Sequence, residues 1–229
     1  RDREKAKCKS EKVKTEEGNF VEDGFTIIRN AISPPLINET QKIVNDTLKK
    51  LSSNFNLKIN AHNENENIFY EQITKLITKE NPYEILKPVW GNLIHNKILT
   101  LIFSEKLIFE FISNILGKDL CHQDDPSLTL NLPGISSSKE NYLFKGYHQE
   151  VWSGADIHTI QFWTPIFQSN NLGGIDLIKG SHLWGHIPHR NRKPIELPKN
   201  TIEIHSDLEI GDVIIFHSLL LHRTSPIKV

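Results

Sequence analysis

The chain has 229 residues, 38% of them hydrophobic and 24% charged, with 27 Lys and Arg against 28 Asp and Glu. That length can bury a full core, and the balanced charge excludes a protein steered to nucleic acid or a membrane surface by its net field. Cys8 and Cys121 are too few for a disulfide framework or a Cys-rich zinc site, no apolar run reaches membrane-span length, and no signal-peptide pattern is present, so a reducing cytoplasm is the expected location.

RDREKAKCKSEKVKTEE (1–17) mixes both charge signs, which predicts a solvated N-terminal segment over 1–19 and a single domain over 20–229. FTIIRN (25–30) reads as a first strand. From Pro35 to Leu51 the residues Leu36, Ile37, Ile43, Val44, Leu48 and Leu51 recur at helical spacing. NAHNENEN (60–67) is a polar loop. The helical pattern resumes over 84–116, where Pro88 is expected to break or start a helix, so the helical part runs over about 35–116.

After Gly117 the pattern changes to short β-like runs: SLTLNL (127–132), YLFKGYH (142–148), IHTIQFWTPIF (157–167), GIDLIKG (174–180), TIEIHS (201–206) and VIIFHSLLLH (213–222). NNLGG (170–174) and EIGD (209–212) are turn signals between them. Helices first and strands afterwards predict an α+β fold, with N-terminal helices packed on a sheet and a sandwich or jelly roll over about 125–229. The chain starts at Arg1 and contains no Met, so a longer natural chain is expected.

YHQEVWSG (147–154) places His148 and Glu150 two positions apart. In an extended strand such side chains share a face and can point a nitrogen and an oxygen at one ion. An H-x-E triplet alone is common, so a third ligand must come from elsewhere. The C-terminal run offers His217 and His222.

EDGFTIIRNAIS (22–33), YHQEVW (147–152), WTPIF (163–167), NNLGGIDLIKGSH (170–182) and GDVIIFHSLLLHRTSP (211–226) form an ordered set that resembles the phytanoyl-CoA dioxygenase family of Fe(II)- and 2-oxoglutarate-dependent oxygenases. The resemblance implies a double-stranded β-helix (jelly roll) with Fe(II) held by two histidines and one carboxylate. Such a set leaves adjacent metal positions open for the 2-oxoglutarate cosubstrate and O2. The implied reaction hydroxylates a small-molecule substrate and releases succinate and CO2. The alternatives are a jelly-roll metalloenzyme that does not use 2-oxoglutarate, and a degenerate family member that binds a small ligand without turnover. No pattern assigns an oligomeric state.

On this resemblance His148 and Glu150 fall on the H-x-D/E pair, and the intact carboxylate disfavours halogenation. His222 falls on the distal histidine; His217 is the rival third ligand, otherwise a packed strand histidine. Thr224 is the small hydroxyl residue two positions on and is expected to contact the cosubstrate. Trp163 matches a tryptophan lining the cosubstrate pocket, with core packing as the competing explanation. Gln161 shares its face, and Asn131 is a further expected cosubstrate contact. His182, in the G-S-H turn, is expected to be structural, and His182, His186 and His189 lack a carboxylate or cysteine at zinc spacing. Residues 133–146 and 183–200 are the expected lids. The family's basic anchor for the far carboxylate lies on a strand after the distal histidine. Arg223 should face the opposite way and Lys228 lies too near, so the chain is expected to be C-terminally incomplete and to carry an Arg or Lys past Val229.

Overall fold

The structure, a computed structural model, describes residues 16–54, 82–123, 128–129, 131, 145–167 and 173–226. The elements in chain order begin with β1 (Glu16–Glu17), α1 (Phe20–Asp23), β2 (Phe25–Ile28), α2 (Pro34–Asn54), α3 (Pro82–His95), α4 (Ile98–Phe103) and α5 (Lys106–Leu116). They continue with β3 (Ile160–Trp163), β4 (Gly174–Ile178), β5 (His189–Arg190), β6 (Lys193–Pro194), β7 (Glu203–His205), β8 (Val213–His217) and β9 (His222–Ser225). Short 3-10 turns cover Glu150–Ser153 and Ser181–Trp184. The result is a mixed α+β arrangement with helices first, as the order of patterns predicts.

β8 explains the layering. Its residues Val213 to Phe216 are all buried, because both faces of the strand are covered. Val213 and Ile215 pack with Ile28 against apolar residues of α2 to α5, including Val44, Leu48, Val89 and Ile108. Ile214 and Phe216 point the other way, joining Phe25 and Ile27 of β2 and Ile175 and Leu177 of β4. β8 sits in an antiparallel sheet of order β1-β2-β8-β3, and β4 in a second antiparallel sheet of order β7-β4-β9. The helices therefore cover one face of the first sheet, and the second sheet lies against its other face.

Three expectations need correction. VIIFHSLLLH is not one strand: it supplies the whole of β8 and the first residue of β9, which belong to different sheets. Ser218 turns the chain, its hydroxyl donating to the carbonyls of Asp156 (3.0 Å) and Ile157 (3.3 Å). An apolar run buried throughout, with Leu220 and Leu221 at 0%, conceals that corner from periodicity. Pro88 lies inside α3, and the helical stretch breaks instead at Lys97, whose φ of 53° is left-handed. IHTIQFWTPIF shortens to the four residues of β3, ahead of Pro165.

Segment 183–200 is more than a lid. It carries the β5–β6 hairpin, turned by Asn191 and Arg192 at φ of 52° and 57°, and it packs Ile187 and Leu197 with Trp152 and Leu221. The charged residues 1–15, the loop 60–67, Ser127, Leu130 and Leu132 of SLTLNL, most of 133–146, and Lys228 lie outside the described residues; Leu128, Thr129 and Asn131 carry no strand pairing.

Gly24 links the first strand to the later turn. It ends α1 at φ 85°, and a β-carbon there would come within 2.5 Å of Nδ1 of His182. A side chain is excluded at that position both by conformation and by contact. The His182 ring also donates from Nε2 to the Val21 carbonyl at 3.0 Å, which is the structural role expected for it.

Candidate metal centre

The segment holding His148 runs antiparallel to β9. His148 and His222 exchange both backbone hydrogen bonds, at 3.0 and 3.1 Å, and form a β-bridge. Residues facing each other in such a pair carry their side chains on the same face. β9 sets which face this is: His222 and Thr224 pair with Leu177 and Ile175, which point between the sheets, whereas Arg223 pairs with Asp176 on the outer face.

Glu150 reaches the same point by a different route from the one expected. Gln149 is extended, but Glu150 opens the 3-10 turn, so the H-x-E motif is not a regular strand. The Glu150 amide donates to the Ser218 carbonyl at 3.0 Å. Gln149 pins the motif from behind. It is fully buried, its amide donates to the carbonyls of Gly185 (2.9 Å) and Leu219 (2.6 Å), and its oxygen accepts from the Ile187 amide (3.0 Å). An intervening glutamine carries no sequence signal for that task, because its partners lie about 35 to 70 residues away.

Nε2 of His148 lies 3.1 Å from Oε1 of Glu150, and Nε2 of His222 lies 3.2 Å from the same oxygen. One donor atom from each of the three residues lies within 4.8 Å of the others, and both histidines are buried. Among the described residues this is the one such group of His, Cys, Asp and Glu. His182, His186 and His189 do not assemble into another.

The second ring nitrogens define the protonation. Nδ1 of His148 lies 2.8 Å from the Gly146 carbonyl and Nδ1 of His222 lies 3.0 Å from the Leu220 carbonyl. A carbonyl only accepts, so each Nδ1 carries the proton and each neutral ring presents a lone pair at Nε2. Two lone pairs and a carboxylate oxygen then converge on one point. A cation reconciles three acceptors: a metal ion, or a proton on a ring. Burial and the neighbouring His148 push the His222 pKa down, against the opposing pull of Glu150, which disfavours the proton. The donor set suits a divalent ion of intermediate softness.

His217 stands elsewhere. It pairs with Ile160 on the helix-facing side of β8, its Nδ1 accepts from the Leu219 amide at 3.0 Å, and its ring lies 5.4 Å from that of His182. It turns away from the three converging groups.

The other expected site residues line one cavity with the three donors. Its volume is about 1070 Å³, and it extends from His148, Glu150 and His222 to an apolar wall built by α4 and α5. Trp163 and Gln161 pair with Ile214 and Phe216 and so share the face of β3 that points between the sheets. Trp163 also packs against the core there, which is the competing explanation offered for it. Thr224 accepts the Lys145 amide at 3.0 Å through its hydroxyl oxygen. Asn131 donates to the Ser225 carbonyl at 2.5 Å, and its own Oδ1 is buried with no partner. Arg223 faces outward as expected, bonded to Asp176 and Glu203 at 2.9 and 2.8 Å. Residues 20–228 match the family model described as phytanoyl-CoA dioxygenase (PhyH).

Proposed function

The chain belongs to the phytanoyl-CoA dioxygenase family, and from that premise we propose that it is an Fe(II)- and 2-oxoglutarate-dependent dioxygenase that hydroxylates a small-molecule substrate. The observation that carries this reading is the convergence of Nε2 of His148, Nε2 of His222 and Oε1 of Glu150. On this reading the three residues are the metal ligands. The two antiparallel sheets, with His148 adding a further antiparallel bridge beside β9, support a jelly roll around them.

When bound, the iron supplies O2 activation coupled to oxidative decarboxylation of the 2-oxo acid. Substrate C–H, 2-oxoglutarate and O2 become substrate C–OH, succinate and CO2. The protein's part is position and a dry wall. The carbonyls of Gly146 and Leu220 keep both Nε2 lone pairs turned to the metal point. Thr224 uses its hydroxyl oxygen as an acceptor and keeps its hydrogen to donate to a cosubstrate carboxylate. Trp163 and Gln161 wall the cosubstrate on the β3 side, and the free Oδ1 of Asn131 accepts a ligand donor. The apolar residues of α4 and α5 exclude water where the substrate sits.

The test is consumption of 2-oxoglutarate by Fe(II)-loaded protein under O2, with succinate quantified. Wild type should form succinate slowly even without its true substrate, and His222→Ala should form none. Metal-loaded protein that does not bind 2-oxoglutarate at all would move the assignment to a metalloenzyme of another chemistry.

A further inference from the structure

The β5–β6 hairpin carries charges that nothing around it answers. Over 183–200 the chain has Arg190, Arg192, Lys193 and Lys199 against one acid, Glu196. All four cations are exposed, and among the described residues none of them forms an ion pair.

The register shows which way these side chains stand. His189 pairs with Pro194 and Arg190 with Lys193. The Ile195 amide donates to the Pro188 carbonyl at 3.1 Å, which carries the ladder one step further. Opposed residues share a face, and successive residues alternate between faces. One face therefore holds His189 and Pro194, and it is the packed one, with the His189 ring stacked on Trp152 at 4.5 Å. The other holds Pro188, Arg190, Lys193 and Ile195, all of them exposed.

Three choices on this hairpin work against its own stability. Arg190 and Lys193 are like charges directly opposite one another, which weakens a strand pair. Arg192 holds φ 57° at a turn position that favours glycine. Leu183 and Ile195 are each 70% exposed and Trp184 is 41% exposed, so large apolar side chains are left in water beside the cations. Local choices that oppose the fold mark places where function uses them.

An anionic lipid surface reverses the first and the third. A phosphate seated between Arg190 and Lys193 turns their repulsion into two charge-assisted hydrogen bonds. Leu183 and Ile195 leave water at a bilayer interface, where a tryptophan such as Trp184 is also favoured. We infer that the outer face of the β5–β6 hairpin, together with Leu183 and Trp184, docks on an anionic phospholipid bilayer. The balanced charge of the whole chain does not oppose this, because the attraction fades within a Debye length of about 8–10 Å and the local cations decide it. An acidic protein segment would also answer the cations, but its apolar side chains need a groove, and a two-residue turn makes a projecting tip. The inference is independent of the dioxygenase reading. Through the His189–Trp152 stack, docking orients the segment that carries Glu150 relative to the bilayer.

The experiment is co-sedimentation of the full chain with phosphatidylcholine vesicles, with and without phosphatidylserine, at low and high salt. Wild type should bind the mixed vesicles, ignore pure phosphatidylcholine and lose affinity as salt rises. A basic residue near an anionic surface contributes roughly fivefold in affinity, so Arg190→Gln with Lys193→Gln should weaken binding roughly 25-fold. That double variant should keep a Tm equal to or above that of wild type, since it removes a repulsion. Leu183→Ser with Ile195→Ser should lower the binding that survives at high salt. Wild type that binds neither vesicle, or binds both equally, overturns the inference, and so does a double charge variant that binds like wild type. If wild type binds poly-glutamate and ignores the vesicles, the face docks an acidic protein and the lipid assignment falls.

Discussion

The two faces of β9 carry similar charged residues and treat them in opposite ways. On the outer face Arg223 bonds Asp176 and Glu203, His205 bonds Asp176 at 2.8 Å and Ser225 at 3.2 Å, and the Tyr147 hydroxyl donates to Glu203. Every charge has an opposite charge or donor within the protein. On the inner face His148, His222 and Glu150 present three acceptors to one point. The outer cluster closes on itself and stabilises the sheet. On the proposed reading, the inner one is completed by a cation from outside. A single residue of register separates the two, since His222 and Arg223 are neighbours.

The strongest way to break that comparison is to change the neighbours one at a time. His222→Ala removes a ligand and should lower divalent-metal affinity at least about 100-fold, beyond the 10- to 100-fold typical of changes to a ligand's hydrogen-bond partner. The metal-dependent rise in Tm should vanish with it, because stabilisation by a ligand follows its occupancy. Arg223→Ala should leave metal affinity within about tenfold of wild type. Equal losses in the two variants, read by metal titration, would mean that the faces do not act separately.

Asp176→Asn sharpens the contrast from the other side. The Asp176 side chain is 6% exposed and its partner Arg223 is 30% exposed. Breaking a fully buried pair costs roughly 3–5 kcal/mol; partial exposure of Arg223 reduces the expected loss to about 2 kcal/mol, measured by urea unfolding. Burial pushes the Asp176 carboxyl up, but hydrogen bonds from His205, Arg223 and Ser225 outweigh it and leave the pKa lowered. A depressed carboxyl contributes stability that is present above its unfolded pKa of about 3.9 and lost as pH falls below it. The acid limb of the stability profile should therefore be shallower in Asp176→Asn than in wild type. A steeper limb would contradict the sign.

Much of this contrast is legible in the sequence, and the missing parts share a cause. Alternation predicts that Arg223 turns away from His222, because parity along a strand is local. The same rule misplaces Glu150. There the chain leaves regular strand geometry at the 3-10 turn, held by the Glu150 amide bonding to the remote Ser218 carbonyl. Gln149 is invisible for the same reason. The corner in VIIFHSLLLH is hidden differently: a segment buried on all sides has no polar face to mark where one sheet ends. Pro88 sits within α3 although propensity alone would end the helix there, with Ile85 and Val89 on either side of it buried against the sheet.

The smallest expected effect concerns histidines without a carboxylate. His148 and His222 share Glu150, but His217 has the titratable rings of His182 and His158 for neighbours and packs near Phe20, ring centroids 6.2 Å apart. Burial first, and then those two histidines, push its pKa below the ordinary 6.5. The neutral ring is the one that fits, since Nδ1 accepts the Leu219 amide. A histidine with a lowered folded pKa takes up a proton on unfolding, so its contribution is complete above about pH 6.5 and declines as pH falls below that value. In His217→Asn the side-chain oxygen can still accept the Leu219 amide, but nothing titrates. Metal-free wild type should lose more Tm between about pH 7 and pH 5 than this variant, and the difference between the two slopes isolates His217, because every other titrating group is common to both. Parallel slopes would show that His217 takes up no proton on unfolding and that the contrast with the inner cluster ends at geometry.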